Sequence, residues 1–303
     1  MNIPIFPEMT GLKLAHRKDF EHFTAEYLPY SDFNFNSLWS YDTKKMMEIA
    51  QLYDNLIIKF TDYTSDDIFF TYIGKNKPVH TATALLDRAI ELDIDPQLKL
   101  VPEEIIEELK NNINFILEED IDQHDNILSV KKLTLLEGKD FETKRWRINQ
   151  FRRRYPGVFF KHRNLGEKTL KKDVLELFHT WRLSRHLTLK ETEIELKALE
   201  RFLDIEEDEA LHCLCFYDDS TLIGFCSFEI MNDSYALGHF MKCDTAYRWI
   251  FEHIYHETAV YLNELEIQNI NACQDLGLLG LRESKKSWRP VDYLKKYSIK
   301  YRA

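Results

Sequence analysis

The sequence predicts an α/β chain of the α+β kind, two units in tandem, each a mixed and mostly antiparallel sheet flanked by helices. Three observations predict it. In the second half, helical and strand-like hydrophobic spacings alternate in the order helix, helix, three strands, helix, strand, helix. A turn signal, Asp218-Asp219-Ser220, sits between two of those strands and makes them an antiparallel hairpin, whereas the strand after the last long helix follows a crossover and pairs parallel. The first half repeats the order loosely, without a residue-level repeat.

Taken along the chain, a helix is expected near 16–28, strands near 35–41, 55–60 and 67–73, a helix near 79–92, and then short elements. The segment EGKDFETKRWRINQFRRRYP carries Phe141, Ile148, Phe151 and Tyr155 as an apolar stripe flanked by Lys144, Arg145, Arg147 and Arg152. It reads as a helix packed between the halves, with its cations at a cleft edge. Tyr155-Pro156-Gly157 ends it, because proline and glycine interrupt helical periodicity, and this places the units at 1–155 and 156–303. Residues 170–186 set Val174, Leu177, Phe178 and Trp181 on one helical face, and 191–203 do the same with Ile194, Ala198, Leu199 and Phe202. ALHCLCFY and TLIGFCSFEI form the hairpin, SYALGHFMK the third strand, residues 246–265 a long amphipathic helix, and EIQNINACQ the last strand. That order is the order of the GNAT acyltransferase fold.

Composition bounds the function. The 303 residues, 44% of them hydrophobic, suffice for one large or two ordinary cores. The opening MNIPIFPEMTG has neither a basic leader nor a long apolar stretch, and no run of 18 apolar residues occurs, so a cytoplasmic chain without a membrane span is expected. The five cysteines, Cys213, Cys215, Cys226, Cys243 and Cys273, fall mostly in strand-like apolar runs and read as buried free thiols of a reducing compartment. Net charge is −11, unevenly distributed. Glu91 to Asp125 holds 12 acids against two lysines, and Glu191 to Glu209 holds nine acids against two bases, patterns of solvated helix faces. By contrast Thr143 to Asn164 carries eight Lys or Arg and no acid, and Arg282 to Arg302 eight against two acids. Locally focused cations suit an anionic ligand, while the overall charge disfavours general binding of nucleic acid or an anionic membrane.

Several stretches together resemble one family, the phosphatidylglycerol lysyltransferase C-terminal domain family. They are SDFNFNSLW (31–39), LLEGKDFETKRWRINQF (135–151), HFMKCD (239–244) and NACQDLGLLGLRESKKSWRPVDYLKKY (271–297). In the last, Asn271, Asp275, Gly277, Gly280, Leu281, Arg282, Lys285, Ser287, Pro290, Lys296 and Tyr297 fall at the positions of the family pattern. The resemblance spans nearly the whole chain and implies a soluble, stand-alone tandem GNAT-like protein. The activity it implies is transfer of an acyl or aminoacyl group from acyl-CoA or aminoacyl-tRNA to an amine or hydroxyl, with no permanently bound cofactor and no metal. Net charge favours the CoA donor over the tRNA.

Such chemistry needs a cradle for the donor, a base for the attacking group and stabilisation of the oxyanion. The candidate catalytic residues are His239, Cys273 and Asp275; those for substrate or donor are Lys242, Asn271, Arg282, Lys285, Lys144 and Arg145. Arg282 and Lys285 are three apart on a helix and share a face. Each has a structural reading beside it: ion pairing for the cations, capping for Asp275, a buried thiol for Cys273 and a satisfied core position for His239. Cys213-x-Cys215 and the His253, His256, Glu257 group do not have the spacing of metal sites. The family pattern has glutamates where this chain has Met241 and Cys273, and CDTAYRW lacks the glycine of a phosphate loop, with Asp244 facing where the anion would lie. These departures imply a second reading, a catalytically weakened relative that binds a small ligand and regulates.

Overall fold

The computed structural model describes residues 2–63, 65, 67–205, 209–232 and 234–302. The acidic run ending the 191–209 segment therefore falls partly, at Glu206, Glu207 and Asp208, outside the described residues. The chain divides into two units, one of Met1–Asp125, Gln274–Leu279 and Tyr293–Ala303, the other of Asn126–Cys273 and Gly280–Asp292. This division differs from the linear boundary expected at 155/156. Segment 126–154 builds into the second unit, where helix Glu142–Arg154 packs on helix Ile250–Glu264, and the chain's end returns to the first.

The first unit holds two antiparallel sheets. One has the order Thr10–Gly11, Glu48–Leu52, Asn55–Thr61, Ile68–Ile73. The other places Lys296–Tyr301 between Gln97–Pro102 and Phe115–Glu119, so a strand from the end of the sequence completes a sheet begun near residue 97. Helix Pro78–Glu91 begins on a proline, whose fixed φ and missing N–H are tolerated at the first helical position. The preceding bend depends on Gly74, at φ +136, where an added Cβ would lie 2.1 Å from the Asn55 Oδ1. Asn55 is committed there, donating to the Asn76 carbonyl at 2.7 Å and to Thr81 Oγ1 at 2.9 Å.

One predicted element is wrong in type. Residues 35–41, expected as a strand, form the helix Phe35–Tyr41, because the Asn34 side chain accepts from the Ser37 N–H and satisfies one of the orphan donors of the first turn. The alternation in FNFNSLW suggested a strand; the cap overrides it.

In the second unit the sheet runs Phe159–Arg163, Leu211–Asp218, Thr221–Asn232, Tyr235–Cys243, Asn269–Asn271 and then 126–129. The hairpin closes on two residues, with Thr221 opposite Asp218 and Asp219 at φ +53. Helices Lys168–Ser184 and Leu189–Phe202 precede the hairpin as expected, while the strand Phe159–Arg163 before them was not expected. The second starts with a capping box in which Thr188 and Glu191 each satisfy the other's backbone N–H. Helix Ile250–Glu264 crosses the sheet so closely at Gly224 that a Cβ there would stand 2.6 Å from Ile254 Cδ1. Leu214, Phe216, Phe228, Ile254, Leu262, Phe151 and Trp288 fill the core beneath it. The fold class is thus mixed α/β, with antiparallel and mixed sheets flanked by helices. Among the described residues no helix is long and apolar enough to cross a membrane.

Candidate functional site

A parallel pairing in the second unit is short. Strand Tyr235–Cys243 pairs with Asn269–Asn271 at only three positions, Tyr235 with Asn269, Ala236 with Ile270 and Leu237 with Asn271. Immediately beyond, its antiparallel pairing with Thr221–Asn232 skips a residue: Gly238 lies opposite Phe228 and Phe240 opposite Ser227, so His239 is the extra residue of a bulge. A bulge turns neighbouring side chains to the same side, and both His239 and Phe240 rings touch Phe202, at 4.8 and 5.2 Å between centroids. His239 Nε2 lies 3.1 Å from Glu229 Oε2, both side chains being almost fully buried. A carboxylate there can accept the ring proton when Nε2 carries it.

The end of strand Asn269–Asn271 is held by hydrogen bonds. Asn271 is fully buried and its Oδ1 accepts from the Cys273 N–H at 2.7 Å, which stabilises Cys273 at φ +60. The Cys273 carbonyl accepts from both the Asn126 backbone N–H and Nδ2, each at 3.1 Å. The Lys285 ammonium, buried, donates to the Ala272 carbonyl at 2.6 Å. Cys273 Sγ, half-buried, donates to the Gly238 carbonyl at 3.2 Å. That contact needs the thiol, since a thiolate has no proton to give. His239, Asn271, Cys273 and Lys285 therefore gather at one end of the short parallel pair.

Other predicted residues are placed elsewhere. Lys242 donates to Glu195 at 2.6 Å and lies 4.1 Å above the Trp181 ring, a contact that fastens helix Leu189–Phe202 to the strand. Asp275 belongs to the first unit, where its Oδ1 accepts from the Gly277 N–H at 3.0 Å. Arg282 is half-buried on helix Leu279–Lys286. Arg145 donates to the carbonyls of Leu136 and Gly138, closing the loop before its helix. Lys144 is buried against the Trp288 ring at 4.0 Å with Glu252 at 3.8 Å, and burial lowers its ammonium to about 8 against the pull of Glu252. Arg147 pairs with Glu252 and Arg152 with Glu257, each at 2.6 Å, so much of the basic run neutralises helix Ile250–Glu264. Met241 packs against the core. The cysteines are free thiols, four buried. No group of three metal-ligating side chains converges among the described residues.

Sequence reasoning missed two sets of residues. Glu229 lies in the apolar run TLIGFCSFEI, and only the bulge opposite it shows its partner. The second set is a buried ionic cluster in the first unit. The Lys296 ammonium donates to Asp32, to Asp125 at 2.8 Å and to Ser31 Oγ at 3.2 Å, with Lys296, Asp32 and Asp125 all fully buried. The Ser31 N–H donates to Asp125 at 2.7 Å and Gln274 Nε2 to Asp32 at 3.1 Å. Burial pushes the Asp32 carboxyl above its usual range, against the pull of Lys296. Ser31 and Asp32 open SDFNFNSLW and Lys296 closes the last motif, so both ends of this cluster lie within the stretches that resemble the family.

Comparison with known proteins agrees with this architecture. A conserved protein of unknown function from Bacteroides thetaiotaomicron VPI-5482 superposes with a TM-score of 0.84 at 24% identity, covering 97% of this chain and 99% of its own. The structure of L-PGS from Bacillus licheniformis superposes with a TM-score of 0.66 at 13% identity, covering 100% of this chain and 94% of that one. Likeness at this identity establishes the fold. Among curated proteins, none is similar in sequence to this chain. Residues 24–300 match the family described as phosphatidylglycerol lysyltransferase, C-terminal, and the chain belongs to that family.

Proposed function

We propose that the protein transfers an acyl or aminoacyl group from acyl-CoA or aminoacyl-tRNA to an amine or hydroxyl, with His239 as the base. The observation that carries this reading is the coincidence of the buried His239–Glu229 pair with the bulge where parallel pairing stops. In the proposed step the acceptor N–H or O–H gives its proton to the His239 imidazole as the heteroatom bonds to the donor carbonyl carbon. Collapse of the tetrahedral centre breaks the C–S or C–O bond, and the imidazolium returns the proton to the departing sulfur or oxygen. Glu229 supports the imidazolium while it exists.

The second reading, a ligand-binding relative with weakened catalysis, is favoured by one feature: Met241 and Cys273 supply no carboxylate at the two glutamate positions, and Cys273 spends its proton on Gly238. Thermal stability of the full chain tests the transferase reading. Acetyl-CoA, CoA or charged tRNA at a hundredfold its dissociation constant adds about 2.7 kcal/mol. An unchanged transition with every donor would remove both the donor site and the activity.

A further inference from the structure

The second unit carries an aromatic and cationic notch at the edge of its core, where Trp249 packs. Trp146, on helix Glu142–Arg154, is 52% exposed, the one tryptophan among the exposed large apolar side chains of the described residues. Its neighbours on the same helix are occupied: Lys144 and Arg147 with Glu252, and Arg145 with two carbonyls. Trp146 instead meets the ring of Trp249 edge to face, 5.2 Å between centroids and 78° between planes. Trp249 precedes helix Ile250–Glu264 at φ +69, a left-handed conformation that a bulky residue rarely adopts without cause. Arg248 is exposed, lays its guanidinium 4.3 Å over the Trp249 ring, and makes no ion pair among the described residues. The nearest acids in sequence, Asp244 and Glu252, are both engaged, Asp244 by the Ala246 N–H at 2.9 Å and Glu252 by Arg147 at 2.6 Å.

Two perpendicular indoles beside an unpaired guanidinium offer one flat stacking surface, one ring edge and one anion partner. That set matches a single nucleobase carrying a phosphate: stacking is indifferent to base identity, and arginine pairs with phosphate through its fork of donors. It is too small for a membrane surface, which calls for a broad apolar face with several cations. Both donors considered above, a CoA thioester and an aminoacyl ester of tRNA, end in adenosine bearing phosphate. We propose that Trp146, Trp249 and Arg248 form the stacking site for the adenosine-phosphate end of the acyl donor, an inference that rests on the transferase reading.

Tryptophan fluorescence of the full chain tests it, titrated separately with adenosine, CoA, adenosine 3′,5′-bisphosphate, an uncharged RNA hairpin ending in CCA, and phosphatidylglycerol vesicles. Saturable quenching by CoA and the bisphosphate, or by the RNA, is expected, and which of them binds more tightly names the donor. Trp146→Ala weakens that binding about tenfold or more and Trp146→Phe largely restores it. Arg248→Gln weakens the phosphorylated ligands but leaves adenosine unchanged. As Trp146 is exposed, an unchanged melting curve certifies that each variant is folded. Donor binding that survives both Trp146→Ala and Arg248→Gln would overturn the notch while leaving the transferase reading intact. Absence of any nucleotide binding by the wild type, or binding to vesicles alone, would overturn both.

Discussion

Lys296 has no exposed surface, and neither have the carboxylates of Asp32 and Asp125 on which it closes. A buried ion cluster contributes little over a well-packed apolar replacement, yet removing one partner strands the others in a medium of low dielectric. Lys296→Met should therefore cost about 3–5 kcal/mol in urea denaturation. A loss below about 1 kcal/mol would mean that the two carboxylates share a proton without needing the ammonium. At this scale the sequence is legible where a residue's partners are local and opaque where they are remote. The turn Asp219-Ser220 and the capping pair Thr188–Glu191 could be read directly from neighbouring letters. Glu229 could not, because its partner His239 depends on a bulge, nor could the Asp32–Lys296 pair, separated by most of the chain. Lys144 looked like a ligand contact because its counter-charge, Glu252, comes from another helix.

Helices and strands of the second unit were readable because each obeys one periodicity and carries its own stop signals. Helix Leu189–Phe202 illustrates the energetics. Thr188→Ala removes a reciprocal cap and should cost about 1 kcal/mol, whereas Thr188→Ser should be nearly neutral; equal losses would show that the methyl group, not the hydroxyl, is what matters. Helix Glu142–Arg154 is anchored by Phe151, fully buried, stacked on His253 at 4.5 Å. Truncating Phe151 to Ala should cost about 3–5 kcal/mol in the same assay, and a loss under 1 kcal/mol would mean the helix is not integral to its unit. The strand expected at 35–41 shows the limit of periodicity: Phe33-Asn34-Phe35-Asn36 alternates as a strand would, and one capping contact decides otherwise. The linear boundary failed for a related reason. Proline and glycine mark where a helix ends, not which unit it belongs to, and only long-range packing assigns 126–154.

At the scale of the whole molecule, acid sensitivity follows from the interior of the second unit. Burial lowers His253 to about 4, below its ordinary 6.5, against the pull of Glu257. A group that resists protonation when folded loses stability as pH falls, here from about 6.5 down to 4, by on the order of 2–3 kcal/mol. Burial pushes Glu257 up, but hydrogen bonds from His256 and Arg152 outweigh it and hold the carboxyl near 2, so its contribution is present above its usual range and is lost in the same direction, between about 4.5 and 2. The melting temperature should fall steadily below pH 6.5, and His253→Phe should flatten the part above pH 4; an equal slope in that variant would assign the loss to other groups. Net charge disfavoured a broad nucleic-acid surface, and the structure accords with locally focused cations, many of them already paired. Acyl transfer with His239 as base is read from the rate at which a labelled acyl group leaves acetyl-CoA or aminoacyl-tRNA for a pool of amines and alcohols. The wild type should accelerate transfer from one of them, and His239→Gln should lower that rate about 10²- to 10⁴-fold while donor binding persists. Transfer at the uncatalysed rate by the wild type, or at an undiminished rate by His239→Gln, would contradict it.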